Sequence, residues 1–379
     1  MNSFKISGFE FSRLEKLLEM TFKHNAINLI SPHDSFICPR QLIEDMAKEV
    51  LEEGNRPVFY FGEEGLRKKV SVFLRDAYGH VYDADSEVTI TGGTNQAIYV
   101  AITALVKEGD QVIVFEPSAN TFIPAIEMCG GEPVYIKLKE PGFYIDWEDV
   151  QKMINGKTRM IFIGSPHNPT GWAMSEIDAI RLQRTINGTK IVVLSDESFQ
   201  HLVFDGEAHQ SMAAYPKLAD QSVVVASLSQ PYHLSSWPLA YVASSEEMMK
   251  EIRKVLQIIS QGANSPIQRA LSKVFGAKDI LIGQSALLQG KRDLFLDAME
   301  GSNFKLAPSK GSCYQLIGLN GATGLSDKDF AMKLIEDHGV ATVPLSIFNH
   351  EKSKNQYLRI DLYQPDEVLL EVAGRLKRI

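Results

Sequence analysis

The fold prediction starts from the segment Val223-Val-Val-Ala-Ser-Leu-Ser-Gln230-Pro-Tyr-His-Leu-Ser-Ser-Trp237-Pro238-Leu-Ala-Tyr-Val242. It joins a β-branched run to a second apolar run through a Ser-rich turn. Apolar runs bounded by turn residues predict a strand, a loop and a second strand. Because ligands of open α/β sheets bind beyond the carboxyl ends of the strands, the loop that follows the first run is a candidate site.

The same alternation extends over residues 87–242, where short β-rich runs are separated by helix-like segments. This pattern predicts a mainly parallel, doubly wound sheet of seven strands in an α/β fold. The predicted strands are Val88–Thr91, Gln111–Phe115, Pro133–Ile136, Met160–Ile163, Ile191–Leu194, Val223–Ala226 and Ala240–Ala243.

The regions on either side predict a second, smaller unit. Residues 245–274 mix polar and apolar positions as in one long helix, which leads into a small α+β domain. The predicted division is an N-terminal arm with part of the small domain at 1–39, a large domain at 40–275 and the small domain at 276–379. Two further helices are predicted from Pro39 and Glu63, each ended by a glycine.

Composition excludes several classes of function. The net charge of −8, without a block of like charges, argues against nucleic acid or an anionic membrane as the main partner. No apolar run approaches the roughly 20 residues needed to cross a bilayer. The three cysteines, Cys38, Cys129 and Cys313, lie far apart without CxxC spacing. Reduced thiols in a cytoplasmic protein without a metal site are therefore expected.

Polar residues follow several predicted strands. The Gly93-Thr94 turn opens a helix, so its N–H groups could hold a phosphate, although a plain strand-to-helix turn would look the same. Asn168 stands between two prolines. Asp196 ends a strand, where it could pair with a cationic ring nitrogen or cap a helix. Arg359, in a strand-like run, could pair with an acid of the fold or grip a carboxylate with both arms.

The order of these pieces resembles the fold-type-I (class I/II) aminotransferases, most closely the kynurenine, glutamine and methionine branch. The resemblance covers nearly the whole chain. It rests on Ile27-Asn-Leu, Phe36, Pro39-Arg40, Thr94, Pro124-Ala-Ile, Gly130-Gly131, Pro166-His-Asn-Pro-Thr-Gly171, Ser195-Asp-Glu, Phe204-Asp-Gly206, Tyr232-His233, Trp237, Gly339-Val-Ala, Pro344-Leu-Ser and Leu358-Arg359.

The resemblance implies a homodimer that transfers an amino group between an amino acid and a 2-oxo acid with pyridoxal phosphate. It assigns the cofactor phosphate to Gly93, Thr94 and Ser227. It assigns the ring hydroxyl to Asn168, the pyridine nitrogen to Asp196 and the substrate carboxylate to Arg359, and all six residues are present.

The same resemblance places Gln230 where the family has the lysine that forms a Schiff base with the cofactor. A primary amide can neither form the imine nor shuttle a proton.

Further departures from the family pattern fall on the same pocket. The stacking aromatic appears as Ala119, the tyrosine on the ring oxygen as Phe199 and the phosphate-binding cation as Pro238. A tyrosine from the partner subunit falls at or near Pro57, and a substrate-loop glycine at or near Pro32.

These departures predict a catalytically defective member of the family. The stacking, hydroxyl and cationic interactions that Ala119, Phe199 and Pro238 cannot make would together stabilise the bound cofactor by about 3–5 kcal/mol. Pyridoxal phosphate should therefore bind weakly and non-covalently, if at all. Because several pocket residues differ together, natural change explains Gln230 better than an engineered substitution.

Three interpretations stay open. The first is a protein that still binds an amino acid or 2-oxo acid. The second is an active pyridoxal-phosphate enzyme for methionine-, glutamine- or kynurenine-like amino acids, whether an aminotransferase or a lysine-independent enzyme with His233 or Lys310 as proton carrier. The third is a purely structural partner subunit.

Overall fold

The computed structural model describes residues 12–32, 38–52, 56, 58–234, 236–276, 278–319, 324–351 and 356–379. Within these ranges no helix combines the length and the low polarity needed to cross a membrane. Phe36 and Pro57, which the sequence singled out, lie outside the described residues.

Helices and strands alternate along most of the described chain. The helices are α1 (Ser12–Lys23), α2 (Arg40–Glu52), α3 (Glu64–Tyr78), α4 (Thr94–Leu105), α5 (Ile123–Met128), α6 (Trp147–Met153), α7 (Glu176–Ile186), α8 (Pro216–Asp220), α9 (Glu246–Ile259), α10 (Ser265–Val274), α11 (Lys278–Ala298), α12 (Asp327–His338) and α13 (Asp366–Leu376). The strands are β1 (Ile27–Asn28), β2 (Val88–Thr91), β3 (Gln111–Glu116), β4 (Glu132–Lys137), β5 (Thr158–Gly164), β6 (Val192–Asp196), β7 (Ser222–Ser227), β8 (Ala240–Ser244), β9 (Tyr314–Gly318), β10 (Val340–Ala341), β11 (Val343–Pro344) and β12 (Tyr357–Asp361).

The large sheet has seven strands in the order β2-β8-β7-β6-β5-β3-β4. All pairs are parallel except those that β8 makes with β2 and β7. Both faces of the sheet are covered, since Val223 and Val225 belong to one buried cluster while Val224 and Ala226 belong to another. Continuous apolar strands are typical of such a doubly covered sheet. The predicted fold class and its seven strands are confirmed.

The C-terminal third builds a smaller unit around an antiparallel sheet of order β11-β12-β9. The N-terminal segment joins it, because β1 pairs in parallel with β10 and Leu29 lies in the same buried cluster as Ile317 and Leu358. This is the small α+β unit of the predicted fold. The domain boundaries at 39/40 and 275/276 stay a prediction.

One helix prediction was wrong. Residues 245–274 form two helices, α9 and α10, rather than one. The backbone turns at Gly262, whose φ of 126° is open to glycine but rarely to other residues. The Asn264 side chain then accepts a hydrogen bond from the N–H of Ile267 at 3.3 Å, and Pro266 occupies the first turn of α10. These are start signals of a new helix, which the amphipathic pattern alone had concealed.

The helix that starts at Glu64 ends as predicted. Gly79 takes a left-handed conformation and its N–H bonds to the carbonyl of Arg75 at 2.9 Å.

A loop of the smaller unit, residues 309–312, is tied to loops of the large sheet. The N–H groups of Lys310 and Gly311 donate to the carbonyl of Gly171, and that of Ser312 donates to the carbonyl of Leu202. At Gly311 a Cβ would lie 2.4 Å from the Leu202 oxygen and 2.9 Å from Pro166. Only a glycine therefore allows the loop to lie against the loop that carries Asn168.

We predict that Gly311→Ala lowers the free energy of unfolding by about 1–3 kcal/mol, because the backbone carbonyl of Leu202 cannot move away cheaply. Gly156→Ala is the matched control, since no atom lies within 4 Å of its added Cβ. Urea unfolding of both variants measures the difference. Equal stabilities would show that this loop does not pack as described.

Candidate functional site

Three parallel strands end side by side and bring together candidate residues that are far apart in the sequence. In the register of the sheet, Gly164 of β5 pairs with Asp196 of β6, and Asp196 pairs with Val225 of β7. The Ser165 N–H also donates to the Asp196 carbonyl at 3.0 Å. The loop with Asn168, the Asp196 carboxylate and Ser227 therefore lie at one edge of the sheet.

The edge strand β2 adds the Gly93-Thr94 turn to this group. Thr91 pairs with Ala240 of β8, which pairs in turn with Ser227 of β7. Thr94 opens α4 directly behind Gly93, so the free N–H groups of the first helical turn begin beside this edge.

Pro238 lies against Gly93. A Cβ added to Gly93 would be 3.0 Å from the Pro238 Cβ, and the φ of Gly93 is 104°. An apolar ring thus covers one side of the turn, at the position where the family resemblance places a cation.

Asp196 is a half-buried acid without a cationic partner among the described residues. Its Oδ1 accepts hydrogen bonds from the backbone N–H of Ser198 at 3.0 Å and from the Ser198 hydroxyl. Burial raises the pKa of Asp196, and the two bonds from Ser198 oppose that shift. A cation brought to this carboxylate would favour its charged form.

Arg359 is a buried cation whose hydrogen bonds are incomplete. The residue is 6% exposed, and its Nη1 donates to Asn168 Oδ1 at 2.9 Å. The guanidinium lies 4.0 Å from the ring centre of Tyr314 and 5.0 Å from that of Phe348. Its Nε is buried without a hydrogen-bond partner.

The acid nearest to Arg359 in its own strand does not neutralise it. Asp361 accepts a hydrogen bond from the N–H of Tyr363 at 2.8 Å, and no ion pair joins Arg359 to a carboxylate within the described ranges. Burial raises the pKa of Asp361 to about 7, although the Arg359 charge opposes the shift. A buried, partly unsatisfied guanidinium has the charge and the donor groups that an anion requires.

Gln230 is held in a chain of hydrogen bonds. Its backbone N–H donates to Ser227 Oγ at 3.0 Å, and its Nε2 donates to the Tyr363 hydroxyl at 3.3 Å. Tyr363 donates to Gln284 Oε1 at 3.3 Å, and Gln284 Nε2 lies 2.7 Å from His233 Nε2. Because the amide nitrogen faces Tyr363, the Gln230 carbonyl oxygen points away from it, and this oxygen is buried without a partner.

The two candidate proton carriers lie in different surroundings. His233 Nε2 is engaged by Gln284, and burial lowers the pKa of His233. Lys310 is exposed, and its backbone N–H and carbonyl bind Gly171 and Phe204.

The other departures fall around the same strand ends. Ala119 follows β3, next to Ser118, whose N–H donates to the Phe348 carbonyl at 2.9 Å. Phe199 packs edge-to-face on Tyr314, with ring centres 5.9 Å apart. Pro32 is exposed at the end of a described range. Ala119 and Phe199 thus lie close to the residues that contact Arg359, whereas Pro57 is outside the described residues.

Sequence reasoning missed several residues of this site. Tyr314 and Phe348 contact Arg359, Tyr363 contacts Gln230, and Gln284 contacts Tyr363. None of these four residues stands in a local sequence pattern that predicts such a role. Their partners are 11 to 133 positions away in the chain. Only the tertiary packing brings them to the site.

Glu197, beside Asp196, is fully buried. Its Oε1 accepts hydrogen bonds from Ser195 Oγ at 2.9 Å and from the N–H of Met212 at 3.0 Å, while Oε2 has no partner. Oε2 lies 4.0 Å from His209 Nδ1, but burial lowers the pKa of His209 to about 4, so this contact is not an ion pair near neutral pH. Burial raises the pKa of Glu197 to about 7.

Comparisons with known proteins find matches that extend over nearly the whole chain. A family model described as "Aminotransferase class I and II" matches residues 38–376. Methionine aminotransferase of Escherichia coli (strain K12) is 33% identical over 358 residues, 94% of this chain and 93% of the relative. Kynurenine–oxoglutarate transaminase of Dictyostelium discoideum is 24% identical over 400 residues, 95% and 92% of the two chains. The crystal structure of YbdL from Escherichia coli, identified as having a methionine aminotransferase function, superposes with a TM-score of 0.97 at 31% identity over the whole of both chains.

We predict that Glu197→Gln raises stability in a pH-dependent way. Between about pH 4.5 and 7 the folded protein keeps the Glu197 proton that the unfolded chain releases. The contribution of Glu197 to the free energy of unfolding therefore falls as pH rises through this window. The glutamine keeps the Oε1 acceptor and has no charge to bury. Its advantage over the parent should grow through this window to on the order of 3 kcal/mol and stay constant above it.

Urea unfolding from pH 4.5 to 8.5 measures this difference. The exposed Glu207→Gln serves as the control and should show no such growth with pH. A pH-independent difference for Glu197→Gln would contradict the buried, protonated state.

Proposed function

Since the chain belongs to the class I and II aminotransferase family, we propose that it keeps a site for the carboxylate of an amino acid or 2-oxo acid but lacks the covalent chemistry of transamination. The observation that carries the proposal is Arg359, a buried guanidinium with an unpartnered Nε.

The surroundings of Arg359 support a carboxylate ligand rather than a structural ion pair. Asn168 and the two aromatic rings orient the guanidinium without neutralising it. Leaving a cation buried and unpaired costs several kcal/mol, and an anionic ligand removes that cost. The planar fork suits a carboxylate, which can accept two parallel hydrogen bonds.

Enzymes of this family normally use pyridoxal phosphate, and part of this site fits that cofactor. Gly93, Thr94 and Ser227 offer N–H and hydroxyl groups to a phosphate at the start of α4. Asp196 would hold the ring nitrogen, since it is a half-buried acid at the end of β6 that has no cationic partner among the described residues. Asn168 would hold the ring hydroxyl. When bound, the cofactor supplies an electron sink for bonds at the amino-acid Cα.

At the positions where the family anchors the cofactor, this chain carries residues that do not fit it. Pro238 lies against Gly93 where a cation would complete the phosphate site. Ala119 has no ring to stack, and Phe199 has no hydroxyl to donate. Gln230 has no amine, and its amide is bound to Tyr363. We therefore propose weak, non-covalent cofactor binding.

Two alternatives have less support. A lysine-independent reaction or an active aminotransferase would need another proton carrier, but His233 Nε2 is bound to Gln284 and Lys310 is exposed. A purely structural subunit would not need a buried cation with an unused donor.

Further parts of the proposal are the ligand class, the assembly and the location. The similarity to methionine aminotransferase makes methionine and its 2-oxo acid the first ligands to test.

Exposed apolar side chains support a homodimer, since Leu51 is 84% exposed, Phe59 72% and Ile258 83%. A cytoplasmic location follows from the composition and stays a proposal.

We predict that Arg359→Ala weakens binding of L-methionine and 4-methylthio-2-oxobutanoate by about ten- to a hundredfold, because the charged donors to the carboxylate are removed. Arg359→Lys should be intermediate, since it keeps the charge without the fork. Titration calorimetry, with and without pyridoxal phosphate, measures the affinities.

Arg181→Ala is the matched control, because it removes the same charge from an exposed position on α7. L-Methioninol, which lacks the carboxylate, should bind the parent and Arg359→Ala equally weakly. Carboxylate affinity unchanged in Arg359→Ala would place the ligand elsewhere.

We predict that Gln230→Lys alone does not restore useful transamination. The new amine would still meet a cofactor ring that no stacking aromatic side chain orients. Misplacement of the reacting atoms by about 1 Å costs on the order of a hundredfold in rate. Adding Ala119→Tyr, Phe199→Tyr and Pro238→Arg should give partial recovery, limited by the fit of Pro238 against Gly93.

Single-turnover amino transfer at saturating cofactor compares the single and quadruple variants. The triple variant that keeps Gln230 is the control and should stay inactive. Ordinary aminotransferase rates in Gln230→Lys alone would mean that Gln230 is the only defect.

A further inference from the structure

A short segment beside Arg359 is held on both sides of a phenylalanine. Residues 345–350 follow β11 and carry Phe348, whose ring centre lies 5.0 Å from the Arg359 guanidinium. Before Phe348, the N–H and the hydroxyl of Ser346 donate to the two oxygens of Asp327 at 2.8 and 2.6 Å. Asp327 is the first residue of α12 in the smaller unit, and it is buried. This contact fixes the start of the segment.

His350 fixes the end of the same segment on the large sheet. Its N–H donates to Oε1 of Glu116, the last residue of β3, at 2.6 Å. Its Nδ1 lies 2.9 Å from Oε2 of the same carboxylate, and since a carboxylate accepts, Nδ1 carries the hydrogen. The His350 ring also stacks on Tyr135 of β4, with ring centres 3.7 Å apart. Between these two ends, the Ser118 N–H donates to the Phe348 carbonyl at 2.9 Å.

The Glu116 carboxylate depends on His350 for its donors. It is 2% exposed, and no lysine or arginine of the described residues forms an ion pair with it. Burial of a carboxylate is costly, and strong hydrogen bonds to both oxygens offset that cost. Removal of the ring donor would therefore weaken the contact that fixes the end of the segment.

The position of Phe348 affects how strongly Arg359 can hold an anion. The rings of Phe348 and Tyr314 lie against the guanidinium, at 5.0 and 4.0 Å. Apolar rings beside a charged group keep water away, and the attraction between opposite charges is stronger where water is excluded. A displaced Phe348 would admit water to Arg359 and weaken its hold on a carboxylate.

We propose that His350 is a positioning residue, which holds Phe348 against Arg359 through Glu116 and so sets the affinity of the site for carboxylates. The inference rests on the proposed function of Arg359 as the carboxylate site. His350 acts through Phe348 and not by contact with the ligand.

Two substitutions at His350 separate its hydrogen bond from its ring. His350→Phe keeps a ring that can stack on Tyr135 but removes the donor, so it should weaken L-methionine binding by about three- to tenfold. His350→Asn loses the stacking but offers an amide N–H near the position of Nδ1, so its affinity should be close to that of the parent. Titration calorimetry measures both. The opposite order of affinities would overturn the proposal.

A double-mutant cycle tests whether His350 acts through Phe348. Phe348→Ala removes the ring and should itself weaken L-methionine binding. His350→Phe should then cause no further loss in the Phe348→Ala background, because no ring is left to position. Additive losses would overturn the proposal, since His350 would then affect binding by a route that does not include Phe348.

L-Methioninol, which lacks the carboxylate, gives a readout that general destabilisation would not leave unchanged. It should bind His350→Phe and the parent equally, because it does not use the Arg359 charge. An equal loss of L-methionine and L-methioninol binding in His350→Phe would contradict a role specific to the carboxylate.

Glu49→Gln is the matched control. Glu49 is a buried carboxylate that joins α2 to α10, with Oε1 2.6 Å from Lys273 Nζ. Its substitution should leave L-methionine binding unchanged. Urea unfolding of every variant confirms that it is folded and compares the losses of stability.

Arg359→Ala distinguishes failure of this inference from failure of the proposed function. If Arg359→Ala binds L-methionine as tightly as the parent does, the carboxylate site lies elsewhere and both proposals are wrong. If Arg359→Ala weakens binding but His350→Phe does not, only the positioning role of His350 is wrong.

Discussion

The parallel pairing of β5, β6 and β7 is the constraint on which the rest of the structure depends. Parallel neighbours run in the same direction, so the loops that leave them emerge at one edge of the sheet. The register that pairs Gly164 with Asp196, and Asp196 with Val225, sets the relative heights of Asn168, Asp196 and Ser227. Both faces of these strands are buried, so a slip in register would disturb two core clusters at once.

Arg359 shows how the smaller unit contributes to that edge. The central strand β12 carries it, and the loop around Gly311 holds the unit against the loop of Asn168. The guanidinium is thereby buried between an amide and two aromatic rings. Such an environment orients a cation but does not neutralise it, and this combination suits binding of an anion better than it suits stability.

Gln230 lies between Tyr363 and His201. Its amide nitrogen belongs to the chain of hydrogen bonds through Tyr363, Gln284 and His233, while its carbonyl oxygen is buried on the side of His201. A lysine at this position would be a donor only, whereas an amide can donate on one side and accept on the other. The surroundings of Gln230 therefore suit an amide, which supports the proposal that the covalent chemistry is absent.

The sequence by itself determined the fold class, the seven strands and the family, because apolar periodicity and motif order are local properties of the chain. It also singled out Asn168, Asp196, Ser227 and Arg359, since each stands in a short motif. Only the tertiary structure decided that Pro238 covers Gly93, and that Tyr363 and His201 flank Gln230. These contacts depend on packing between segments that are far apart in the chain, and such packing produces no periodic pattern in the sequence.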